Sequence, residues 1–161
     1  LNFSSGRADT FYDGNPVAHV SMAEPYCPDL RRVAVGQARA LNIKYHSKGT
    51  IAVINGPRFS TKAESRFFAR QNGDIINMTA YPEAVLAREQ GMCYLNIGLV
   101  TDYDSGAVGG KNAKAVTADD VAKVFKKNNE KIKEVIFGII KNISTEQACR
   151  CAEHIKEAFI A

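Results

Sequence analysis

The chain has 161 residues, of which 45% are hydrophobic and 24% charged, and its formal charge is +4. That length builds one domain with a buried core, and the composition is that of a globular chain and not a disordered one. No apolar run approaches the roughly 18 residues a membrane span requires, and the first residues lack the basic start and apolar stretch of a secretory signal, so a cytoplasmic protein with no membrane partner is expected.

The first predicted element is a strand over residues 17–22, where apolar and polar residues alternate weakly. A helix follows over 28–41, started by Pro28 and Asp29 and carrying the stripe Val33, Gln37 and Leu41 with Ala34 and Ala38. Residues 45–55 hold the β-branched run Ile51-Ala-Val-Ile54, a buried strand ended by Gly56-Pro57. A second helix is predicted over 61–71, with Ser60 or Thr61 as its cap and Glu64 in its first turn. A short strand over 74–78 and a helix over 82–90 come next, the helix opening on Pro82 and closing at Gly91.

Residues 92–100 are apolar except for Asn96 and read as another strand. Residues 105–115 hold three Gly and two Lys with no periodicity, the pattern of a mobile loop. Val121, Val124, Phe125, Ile132, Val135, Ile136, Ile139 and Ile140 then follow helical spacing from about 117 to 141. A last helix is predicted from Ser144, with Gln147 closing a capping box. Strands alternating with helices predict an α/β layered domain with a central mixed, largely buried β-sheet flanked by helices, residues 1–161 forming part of one domain.

The late lysines, Lys123, Lys126, Lys127, Lys131 and Lys133, read as a solvated helix face, so no nucleic-acid partner is expected. Four cysteines occur, at 27, 93, 149 and 151. No Cys-x-x-Cys pair exists and the three His are scattered, so no metal is expected. Cys149-Arg-Cys151 would point its side chains about 200° apart on a helix. The pair is either two ordinary thiols or a disulfide or redox element.

Four segments lie where strands give way to loops, the usual place for sites in α/β proteins. Phe59 and Ser60 follow Gly56-Pro57 and offer either a ring and hydroxyl for a flat ligand, or a staple residue and an N-cap. Asn77-Met78-Thr79 leads into the helix that opens at Pro82, an anion-favouring terminus or a plain junction. Asp102 and Asp104, two residues apart at the exit of an apolar run, suit proton transfer to a leaving group, or form an Asx-turn with two solvated acids. His19 is a ligand-facing residue or a satisfied core histidine.

Taken together, Thr10-Phe-Tyr-Asp-Gly14, Met22-Ala-Glu-Pro-Tyr-Cys27, His46-Ser-Lys-Gly-Thr50, Gly56-Pro-Arg-Phe-Ser-Thr-Lys-Ala-Glu-Ser65, Asn77-Met-Thr79, Pro82-Glu-Ala-Val-Leu-Ala87 and Thr101-Asp-Tyr-Asp104 strongly resemble the trimeric methylthioadenosine/purine nucleoside phosphorylase family. The match holds in order and spacing from about Asp9 to Asp104 and is weaker beyond Ala115. Members acting on 6-oxopurines usually carry Glu and Asn where this chain has Ser60 and Asp102, so the resemblance points to the methylthioadenosine branch. Carboxylate acceptors also suit adenine, whose N6 and protonated N7 are donors, whereas O6 of hypoxanthine would meet them acceptor to acceptor.

The resemblance implies phosphorolysis of 5′-methylthioadenosine to adenine and 5-methylthioribose-1-phosphate, with inorganic phosphate as co-substrate and no cofactor. It implies that Asp102 protonates or bonds N7 of the leaving base, that Asp104 completes the contact to N6, and that Phe59 and Ser60 line the purine pocket. It places Met78 under the ribose, Thr79 on the phosphate, and His19 at the 5′-thiomethyl region of a neighbouring subunit's site, with Val121 in the same pocket. A homotrimer or hexamer of complete units is implied. An N-terminal half carrying a Gly-rich phosphate loop and an Arg-His clamp is expected as a companion chain or as a lost segment, without which the chain is expected to be inactive. The rivals are a phosphorylase for purine nucleosides or methylthioinosine, and a non-catalytic nucleoside-binding or assembly subunit.

Overall fold

The computed structural model describes every residue of the chain except Asn15, Gln147 and Ala161. The elements in order are α1 (Pro28–Ala40), β1 (Ile51–Val53), α2 (Lys62–Arg70), β2 (Ile75–Asn77), α3 (Ala80–Glu89) and α4 (Ala118–Asn142). The α/β class is therefore as expected, with a small sheet. The chain divides into two compact units, one of Leu1–Ser5, Lys48–Met78 and Gly98–Lys133, the other of Gly6–Ser47, Thr79–Ile97 and Glu134–Ala161.

In the first unit β1 and β2 pair in parallel, Ile51 opposite Ile75, Ala52 opposite Ile76 and Val53 opposite Asn77. All three β1 residues are buried, as the unbroken apolar run requires of a strand covered on both faces. Phe3 donates its N–H to the Val53 carbonyl at 2.9 Å and lays its ring against Phe67 and Phe68 of α2. The helix α2 starts where the sequence places it. Thr61 accepts the Glu64 N–H at 3.2 Å while the Glu64 carboxylate accepts the Thr61 N–H at 2.7 Å, a complete capping box.

In the second unit Pro28 opens α1 and Cys27, its N-cap, is fully buried. In α3, Tyr81 is extended at φ −118° and ψ 130°, as the residue before Pro82 must be, so the regular turns begin at the proline. Gly91, at φ +64°, takes the left-handed position just past the helix. Glu89 is 3% exposed, and its carboxylate accepts the Thr10 hydroxyl and the Phe11 N–H, both at 2.7 Å.

Three expected elements differ. Residues 17–22 form no strand, only a bridge between Ala18 and Phe159. Residues 92–100 are not in a sheet. An apolar run becomes a strand only when a neighbour satisfies its backbone, and Met92, Ile97 and Val100 remain exposed. The helix expected from Ser144 is a turn-rich stretch among the described residues, and Gln147 of its capping box lies outside them.

Candidate functional site

The first unit holds six of the eight residues singled out from the sequence. Their positions follow from two constraints. Gly56 lies at φ +68°, and a Cβ there would collide with the Met78 sulfur, so glycine is what lets Met78 close against the Gly56-Pro-Arg-Phe-Ser turn. That turn carries Phe59, 38% exposed, and Ser60, which is buried. The turn is held from outside by Arg58, whose guanidinium bonds both oxygens of Glu64. The Arg58 and Thr61 donors together hold the Glu64 carboxyl down at about 2.

The second constraint is the Asp102–Asp104 turn. Asp102 accepts the Asp104 N–H at 2.7 Å and the Thr101 hydroxyl at 2.5 Å, so its carboxylate shapes its own turn. Asp104 adopts φ +51° and turns back toward the helix α2. There it accepts the hydroxyl of Ser65 at 2.5 Å and, at a long 3.4 Å, the Ser60 N–H. Ser65 is 2% exposed. The pair thus forms an Asx-type turn, and its two acids are half-buried and not fully solvated.

Against this turn lies an open recess of about 350 Å³, lined by Asp102, Tyr103, Gly109, Asn112, Lys114, Val116 and Asp120. Its volume is within the range of small-molecule sites. The loop that forms its wall is fixed by Val116, whose N–H bonds the Asp104 carbonyl at 2.8 Å. Two buried hydroxyls of this unit, on Ser60 and Ser105, have no hydrogen-bond partner among the described residues. An unpaired buried hydroxyl is costly, and a ligand polar atom relieves the cost. Val121 is half-buried in the first turn of α4, three residues past the Ala118 start.

The second unit holds the other two. His19 is exposed and anchored through its N–H to the Ala158 carbonyl at 2.8 Å. Thr79 is the N-cap of α3 but its side chain makes no capping bond. Sequence reasoning missed Ser65 and Thr101, which orient the two acids, and Lys114 and Asn112 on the cavity wall. Ser65 was accessible from spacing, lying one helical turn beyond Thr61 on the side that faces inward. The wall residues sit in a stretch without periodicity, where no pattern marks which side chain faces in.

The same unit brings all four cysteines together, their sulfur atoms within 4.8 Å of one another. Burial pushes the Cys149 thiol up, but hydrogen bonds from the Cys151 backbone and from the Cys93, Cys151 and Cys27 thiols outweigh it and bring the group to about 7. No helix among the described residues is long and apolar enough to cross a membrane.

Residues 1–141 match the sequence model of the phosphorylase superfamily. The chain is 50% identical over 160 residues to the S-methyl-5′-thioadenosine phosphorylase of Thermofilum pendens, covering 99% of this chain and 59% of that protein. It is 39% identical over 165 residues to the 6-oxopurine nucleoside phosphorylase of Pyrococcus furiosus, covering 98% of this chain and 61% of the relative. Methylthioadenosine phosphorylase from Schistosoma mansoni, solved in complex with adenine, superimposes with a TM-score of 0.88 at 31% identity, over 99% of this chain and 63% of that one. The chain therefore spans about 60% of the length of the curated relatives it matches.

Proposed function

The chain belongs to the phosphorylase superfamily, and from that premise we propose that it carries the base- and ribose-reading part of a 5′-methylthioadenosine phosphorylase. In the reaction phosphate oxygen forms a bond to C1′ as the C1′–N9 bond breaks, and the electron pair left on the purine is captured by a proton at N7. Asp102 delivers or holds that proton. Asp104, kept in place by Ser65, accepts from N6. Ser60 supplies the hydroxyl at the purine edge, Phe59 stacks on the ring, and Met78 packs under the ribose.

The observation that carries this reading is the gathering of Asp102, Asp104 and Ser60 in one unit, Asp104 donating its N–H to Asp102 at 2.7 Å and accepting the Ser60 N–H at 3.4 Å, with Asp102 on the wall of an open recess. The naming of several relatives at about half identity as S-methyl-5′-thioadenosine phosphorylases supports the 6-amino branch. Further parts of the proposal are Thr79 at the phosphate, and Val121 with a neighbouring subunit's His19 at the 5′-thiomethyl group. A cytoplasmic homotrimer or hexamer, with both compact units in one domain and the Gly-rich phosphate loop on an amino-terminal portion, completes it. Inorganic phosphate is the co-substrate, and no metal or cofactor takes part in the reaction.

The test is Asp102→Asn, assayed with the chain alone and with the amino-terminal portion of a relative added. Asn retains the oxygen that accepts the Asp104 N–H, so the turn survives. A contact that strengthens as the base leaves shows in the chemical rate more than in substrate affinity. The expected loss is on the order of 10²–10⁴-fold in adenine release, with a shift toward 6-oxopurines because an amide also donates to O6. Unchanged adenine release makes Asp102 a turn residue and overturns the assignment.

A further inference from the structure

Glu89, the last residue of α3, is 3% exposed, and both oxygens of its carboxylate accept bonds from one short segment far off in the chain. The Thr10 hydroxyl donates to one oxygen and the Phe11 N–H to the other, each at 2.7 Å. The Thr10 hydroxyl oxygen in turn accepts the Tyr12 N–H at 2.9 Å, so the three residues are held in one shape. Taking a carboxylate out of water is costly unless donors meet it. Here the donors belong to a segment with no helix or strand of its own. The other end of α3 holds the same segment. The Tyr81 hydroxyl donates to the Asp9 carboxylate, and the Arg7 guanidinium donates to the Tyr81 carbonyl.

From this segment the contacts lead to His19. The Tyr12 ring meets the Phe159 ring edge-on, with centroids 5.3 Å apart. Phe159 pairs with Ala18 in an antiparallel bridge, and the neighbouring Ala158 carbonyl accepts the His19 N–H at 2.8 Å. Ala158 is 3% exposed, which makes it a firm anchor, whereas His19 is exposed. All of these residues lie within one compact unit. A buried acceptor at one end of this series therefore fixes where an exposed imidazole stands at the other.

We propose that Glu89 is a positioning residue for substrate selection: through Thr10, Phe11 and the Tyr12–Phe159 contact it sets the place of His19, which discriminates the 5′ substituent of the nucleoside. The inference rests on the reading of His19 as the group given to a neighbouring subunit's 5′-thiomethyl pocket. Glu89 acts through His19 and does not meet the substrate. A contact to the 5′ group is the same in the ground state and the transition state, so its loss raises KM and leaves kcat in place.

The experiment has two arms. In the chain itself, amide hydrogen exchange is followed for Glu89→Met, which keeps the length of the side chain and removes both acceptor oxygens. Exchange at Phe11, Tyr12 and His19 should quicken by about 10-fold, while the amides of α2 keep their protection. Glu89→Gln should restore the slow exchange, because its oxygen still accepts the Phe11 N–H and its amide can donate to the Thr10 hydroxyl. In the chain joined with the amino-terminal portion of a relative, Glu89→Met and His19→Ala should each raise KM for 5′-methylthioadenosine by roughly 10-fold at nearly unchanged kcat. The double variant should be no worse than either single one, and KM for adenosine, which lacks the thiomethyl group, should change little. If Glu89→Met folds poorly, Thr10→Val removes the hydroxyl from the same contact and takes its place. Unchanged exchange at His19, exchange quickened equally in α2, or single effects on KM that simply add overturns the proposal. An unchanged KM in His19→Ala, with exchange as expected, overturns instead the reading of His19 on which the proposal rests.

Discussion

Removing the Ser65 hydroxyl perturbs the acidic turn at its firmest point. The bond to Asp104 is 2.5 Å long, its donor is 2% exposed, and its acceptor is a carboxylate. Hydrogen bonds to charged groups contribute about 1.5–3 kcal/mol. The other partner of that carboxylate, the Ser60 N–H, stands at 3.4 Å and is too long to compensate. The side chain loses one oxygen, so little cavity forms. Ser65→Ala should therefore cost about 2 kcal/mol. With a urea slope of about 2 kcal/mol/M, the unfolding midpoint falls by about 1 M at unchanged slope. Far-UV circular dichroism through a urea titration measures it, and Asp104→Ala with the double variant isolates the pairwise part. A midpoint shift under about 0.25 M, or fully additive single variants, refutes the idea that Ser65 holds Asp104.

Thr61→Ala removes half of the capping box and should cost about 1 kcal/mol, read by the same titration. Gly106→Ala meets two obstacles, a φ of +74° and a Cβ 2.7 Å from the Lys114 carbonyl carbon. It should destabilise by about 1–3 kcal/mol and weaken purine binding in calorimetry, since Lys114 is on the cavity wall. The Glu64 carboxyl stands at about 2 in the fold against an ordinary 4.5. A lowered folded value stabilises above the unfolded one, so this contribution is present above pH 4.5 and is lost as pH falls toward 2. Carbon-detected NMR titration of Glu64 checks it, and a midpoint near 4.5 would contradict the Arg58 contact.

The sequence marks those parts of the fold that depend on neighbours along the chain. The Thr61–Glu64 box, Pro28 at the start of α1, the proline start of α3 and Gly91 after it were legible because each is a local rule about helix ends. The run at 92–100 was not, because its character depends on which backbone lies beside it. The meeting of the Cys-x-Cys pair with the other two cysteines was not legible for the same reason. A helix would have sent the two side chains apart, whereas the turns over 149–151 bring them together with Cys27 and Cys93. At the site, Phe59 and Ser60 stood out as an aromatic and a hydroxyl after a strand, and Asp102 and Asp104 as acids after an apolar run. That Ser65 would reach back to Asp104, and that Lys114 would line a cavity with Asp102, depends on a positive φ at Asp104 and on a loop without periodicity.

The measurement that tests the central claim most directly is the initial rate of phosphate-dependent base release from 5′-methylthioadenosine and from inosine, at matched concentrations, by the chain joined with the amino-terminal portion of a relative. In the proposed arrangement Asp104 accepts from N6 of adenine but would meet the O6 acceptor of hypoxanthine, a mismatch of about 1–3 kcal/mol. Adenine release should therefore exceed hypoxanthine release by roughly 5–150-fold in kcat/KM, and both should stop when phosphate is withheld. Equal or faster turnover of inosine, or release that continues without phosphate, would contradict the account.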